Sequence, residues 1–86
     1  MGFRGSFCKQ LTVDDVRQIV RLARSRREIL EPVQDIVMNR PDEAEVICYE
    51  PHGTAELMPE FKVRKKNGHW MIIEGSIQKN RVIMTG

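Results

Sequence analysis

The sequence predicts an α+β fold, one N-terminal amphipathic helix packed on an antiparallel β-meander of four to five strands. Three observations predict it. Apolar residues recur at helical spacing after Thr12, the chain after Pro32 breaks into short β-branched segments separated by turn formers, and Asn67-Gly68 sits between two alternating runs. A helix followed by a series of strands, in place of alternating strands and helices, belongs to a sheet with its helix on one face. With 86 residues and no Gly/Ser-rich linker the chain reads as one domain, residues 1–86, with 1–11 a loose N-terminal arm.

The helix begins after Thr12, because Thr12 and Asp15 are spaced as a capping box and the acid answers the positive end of the helix dipole. Val16, Ile19, Val20 and Ala23 fall at i, i+3, i+4 and i+7, one stripe facing a core, with Val13 a turn earlier. Asp14, Arg17, Gln18, Arg21, Arg24 and Glu28 take the other side. The helix is expected to run to about Arg27 or Leu30, where Pro32 ends it by removing a backbone donor and restricting Glu31.

Val33 to Met38 reads as a first strand, closed by Asn39-Arg40-Pro41-Asp42, and Glu45 to Glu50 as a second, closed by Pro51-His52-Gly53. Glu60 to Glu74 is the hairpin. Asn67 and Gly68 supply the two positive-φ residues of a type I′ turn, so Lys66 should face His69, Lys65 Trp70, Val63 Ile72 and Phe61 Glu74. Phe61, Val63, Trp70 and Ile72 then share the face that meets the helix. Arg81 to Met84 is a last strand, paired within the chain or across a dimer.

The run Phe61-Lys62-Val63-Arg64-Lys65-Lys66-Asn67-Gly68-His69-Trp70-Met71-Ile72 resembles the charged hairpin, turn and Trp-bearing strand of nuclear-transport-factor-like and cystatin-like domains. The resemblance implies an α+β domain. It implies no single function, since that superfamily holds enzymes, immunity proteins and dimerisation modules, and it transfers no catalytic residue.

Composition narrows the function classes. The net charge is +2, with six carboxylates and no Lys or Arg from Asp42 to Glu60, and five arginines and no acid from Arg17 to Arg27. Such a distribution favours complementary contacts over a uniform field. No apolar run approaches the roughly 20 residues of a membrane span, and the start lacks the apolar segment of a secretory signal, so a cytoplasmic protein without a membrane partner is expected. Met1-Gly2-Phe3-Arg4-Gly5-Ser6 fits a myristoylation pattern, but the bulk of Phe3 beside the acceptor argues against it.

Catalytic and cofactor chemistry find little support. His52 and His69 belong to no metal-ligand pair, the glycines form no phosphate loop, and Cys8 and Cys48 read as idle thiols. No catalytic residue, metal or cofactor is assigned. A Cys48–His52 site is weakened by Cys48 alternating with Val46 as a core residue.

The leading expectation is a non-enzymatic protein-interaction or regulatory module, dimerising through the uncovered sheet face, with Lys62, Arg64, Met71, Ile73 and Ile83, or through the C-terminal strand. The first alternative is a nucleic-acid accessory protein using Arg17, Arg21, Arg24, Arg26 and Arg27. The bland alternative to that stripe is a solvated helix face. A third reading is a small-ligand or enzymatic pocket near Tyr49, His52 and Trp70.

Overall fold

A computed structural model describes residues 1–50 and 57–81 of the chain, without the side chains of Leu57 and Arg81. It contains β1 (Gly2–Arg4), a 3-10 turn (Cys8–Gln10), α1 (Val13–Arg24), β2 (Val33–Arg40), β3 (Glu43–Cys48), β4 (Leu57–Lys66), β5 (His69–Ile72) and β6 (Gln78–Arg81). The six strands form one sheet, ordered β1-β2-β3-β4-β5, and β6 joins β4 along the same edge as β5. All pairings are antiparallel except β1 with β2. The α+β architecture is as expected, with the helix N-terminal and packed on the sheet.

One strand was not legible. Gly2, Phe3 and Arg4 pair with Asp35, Ile36 and Val37, so the first residues are a short parallel edge strand where a loose arm was expected. Gly5 makes the following turn possible. Its φ is +100°, and a side chain there would collide with the backbone of Met38. Past that contact the Phe7 N–H donates to the Met38 carbonyl at 2.9 Å, and the chain climbs onto the inner face of the sheet.

The capping box forms. The Thr12 N–H donates to Asp15 Oδ2 at 2.9 Å and the Asp15 N–H to Thr12 Oγ1 at 3.1 Å. The helix stops at Arg24, short of the expected Arg27 or Leu30, because the Ser25 hydroxyl donates to the Leu22 carbonyl at 2.6 Å and competes with helical bonding. The next turn brings Ile29 into the core, so Pro32 follows the helix at a distance and is not what ends it.

The hairpin register is the one the turn dictates: Val63 faces Ile72, Lys65 faces Trp70 and Lys66 faces His69. Asn67 has φ 52° and Gly68 φ 81°. The expected pairing of Phe61 with Glu74 does not form. Strand β5 ends at Ile72, and Ser76 closes the gap by accepting from the Lys62 N–H at 3.1 Å and donating to the Ile73 carbonyl at 2.6 Å. Chain then returns to β4 as β6. Arg81 lies in this strand within the chain, opposite Leu57, while the remainder of the expected Arg81–Met84 strand, including Ile83, falls outside the described residues.

The core is Ile19 and Ala23 of α1 and Ile29 against Val33, Ile36, Met38, Ala44, Val46, Cys48, Phe61, Val63 and Trp70. The helix is rotated from the expected stripe. Ile19 and Ala23 are buried with Asp15 beside them, whereas Val16 and Val20 are only half-buried at the margin.

Candidate functional site

Asp15 lies four and eight residues before Ile19 and Ala23, which places a carboxylate on the apolar side of α1. It is 4% exposed. Its Oδ1 accepts from the Trp70 indole Nε1 and from Lys65 Nζ, each at 3.0 Å, while Oδ2 holds the Thr12 N–H. Burial alone would raise this pKa. The donors outweigh it and hold the carboxyl at about 2. Lys65 also stands 5.9 Å from the centre of the Trp70 ring. Gln18, expected in solvent, docks on the hairpin instead, with its Oε1 accepting from the Trp70 N–H at 3.0 Å.

This cluster is structural. No buried polar side-chain atom among the described residues lacks a partner. Trp70 also has no place in the expected small-ligand pocket. Lys65, its neighbour, bonds to Asp42 at one end of β3, and Tyr49 lies past the other end, bonded to Pro32. Seven residues of extended chain separate the two ends, roughly 23 Å at a strand's rise. His52 lies outside the described residues.

The other flank of α1 is open. A groove of about 740 Å³ lies between the helix and the N-terminal segment, walled by Val13, Val16 and Val20 on one side and by Phe3, Cys8 and Leu11 on the other. Arg17, Arg21, Arg24 and Lys9 rim it, and its lining contains no carboxylate. A second hollow of about 350 Å³ shares Val20 and Arg24 with the first and is lined further by Met1, Leu30 and Pro32 and by two carboxylates, Glu31 and Glu50. Of the five exposed large hydrophobic residues among those described, Met1, Phe3, Val13 and Leu30 border these two hollows. Only Met71 lies on the opposite face of the sheet.

The five expected arginine contacts therefore divide. Arg17, Arg21 and Arg24 share the groove, Arg26 turns away to Glu74 at 3.5 Å, and Arg27 is exposed after the helix end. Among the described residues neither the three groove arginines nor Lys9 has an ion-pair partner.

The outer sheet face has a different character. Lys62, Arg64 and Met71 are exposed there and Ile73 is half-buried just beyond β5. The acids of β3 run beside the bases of β4: Glu43 faces Arg64, at 3.5 Å between charged atoms, and Glu45 faces Lys62. The acidic middle of the sequence and its basic hairpin thus adjoin within one molecule. The Arg64–Glu43 pair, open to solvent on its arginine side, contributes at most about 1 kcal/mol.

Cys48 is fully buried, and burial, with the Glu31 charge adding, pushes its thiol up to about 11. It is inert at neutral pH. Cys8 is a free thiol at the groove wall. No group of three or more His, Cys, Asp or Glu among the described residues is placed to hold a metal ion, and none of the described helices is long and apolar enough to cross a membrane.

No family model matches the chain, and neither a characterised protein nor a solved structure matches it significantly. What fold and surface define by themselves is a one-helix α+β domain with an apolar, cation-rimmed groove along its helix.

Proposed function

We propose that this protein is a non-enzymatic protein-binding module whose docking surface is the groove between α1 and the N-terminal segment. One observation carries the reading. Phe3 and Val13 are 46% and 70% exposed and line this groove, and Leu30, 86% exposed, lines the adjoining hollow, where an isolated domain gains nothing from them. A packed partner would remove that surface from water at about 25 cal/mol per Å² of apolar area, less the costs of association. The cation rim selects acidic partners.

Nucleic acid is supported less well. The three arginines that share the groove flank an apolar trough whose single aromatic residue is Phe3, and strand binding calls for stacking platforms along a broad basic track. Self-association through the outer sheet face rests on Met71 at 52% exposure, opposite Arg64, which is paired with Glu43.

The test is co-purification of the native partner with three versions of the protein. Phe3→Asp combined with Val13→Asp should abolish recovery, while Lys62→Glu combined with Met71→Asp should leave it intact. The reverse pattern, together with a dimer mass by light scattering that the outer-face variant reduces to a monomer, would transfer the function to the sheet face.

A further inference from the structure

We infer that the groove takes an amphipathic α-helix with acidic flanks, laid alongside α1. The inference rests on the groove being a protein-docking surface, and it names the shape and charge of the partner. It starts from the angular order of residues on α1. At about 100° per residue, and counting from buried Ile19, the valines 16, 20 and 13 fall roughly 60–120° round the helix and the arginines 24, 17 and 21 roughly 140–200°. The helix therefore has a second stripe beside its core contacts, in which an apolar row, with Val16 and Val20 half-buried at the core margin and Val13 exposed, adjoins a cationic row.

Val13, Val16 and Val20 are spaced by three and four residues, with Arg17 and Arg24 each following the apolar seam by the same offset. This is the arrangement by which paired helices pack apolar seams and choose partners through flanking charges. Volume agrees with it. A helix about 10 Å across, running the roughly 18 Å length of α1, occupies about 1400 Å³, so a groove of about 740 Å³ has room for part of such a helix and not the whole of it. Partial burial suits an amphipathic helix, whose other side remains in water.

An extended segment fits less well. A partner that adds as a strand would pair along the free edge of β1, which offers only Gly2–Arg4. Three residues supply too short a ladder against the usual five or six. A second copy of this chain presenting its own α1 is also disfavoured, because a two-fold contact would set arginines against arginines in a groove whose lining holds no carboxylate. The charge of the rim leaves glutamate- or aspartate-flanked helices.

The full chain should be titrated with labelled synthetic peptides about five helical turns long, read by fluorescence anisotropy and circular dichroism. One peptide carries a leucine seam with glutamate flanks, a second the same seam with lysine flanks, and a third an alternating valine-glutamate sequence that favours extended structure. The glutamate-flanked peptide should bind at least about tenfold more tightly than the lysine-flanked one, gain helicity on binding and weaken with added salt. Arg17→Glu with Arg24→Glu, both exposed positions, should invert the preference. Equal affinity for the two leucine peptides, tighter binding of the extended peptide, or no inversion would overturn the inference. So would displacement of the peptide by a single-stranded oligonucleotide of higher affinity, or a mass that doubles with concentration through the groove. Loss of the native partner on Phe3→Asp/Val13→Asp alongside any of these results would leave the docking groove standing and reject only the helical occupant.

Discussion

Along the hairpin flank of α1, Asp15 and Gln18 reach across to Trp70 and Lys65, and every buried side-chain donor and acceptor there is matched. Along the opposite flank, Val13, Arg17, Arg21 and Arg24 face an open groove. Both flanks mix charge with apolar surface, but in one the charge is buried and bonded and in the other it stands at a rim. The contrast separates two jobs. Fixing the helix on the sheet falls to the Ile19 and Ala23 core contacts and the Asp15 cluster, while the other flank, beyond Val16 and Val20 at the core margin, turns to the groove.

If that division holds, substitutions on the two flanks must differ in what they change. Asp15→Ala should have the largest effect, a loss of about 3 kcal/mol in denaturant unfolding, since it strands Lys65 and the Trp70 indole and removes the helix cap together. Acid should reproduce part of it. The carboxyl is depressed from 3.8 to about 2 on folding, so its contribution of about 2 kcal/mol is complete above pH 4 and disappears as pH falls through 2. Unfolding curves of an Asp15→Asn variant should lack that component over the same pH window.

Gly5→Ala should cost about 1–2 kcal/mol by thermal melting, because the residue sits at φ +100° against the Met38 backbone. Its effect should be concentrated in faster amide exchange of β1 and the 3-10 turn, the wall of the groove. The smallest effect on stability belongs to the groove itself: Val13→Ser and Leu30→Ser should each change it by about 0.5 kcal/mol or less. A drop comparable to that of Asp15→Ala would erase the distinction between the flanks.

The features read correctly from the sequence are those fixed by neighbours in the chain. Thr12 and Asp15 can cap a helix with no help from elsewhere, and a two-residue Asn67-Gly68 turn sets the register of its flanking strands. Ser25 is a local signal for the earlier helix end: its hydroxyl competes for one of the last carbonyls, and Arg26 and Arg27 follow. Asp15 on the Ile19–Ala23 side was another, since an acid in phase with core positions calls for a buried partner. By contrast the parallel pairing of Gly2–Arg4 with β2 had no readable signal, because three residues carry too little periodicity to announce a strand.

The sequence by itself determined the fold class, the helix start and the hairpin, because capping, turn chemistry and apolar spacing act over a few residues. Tertiary structure alone decided how far α1 is rotated on its sheet, and with that which valines and arginines remain outside. The physical reason is that rotation follows from Trp70 and Lys65 reaching Asp15 across some fifty residues of chain, a separation at which no local pattern reports the contact.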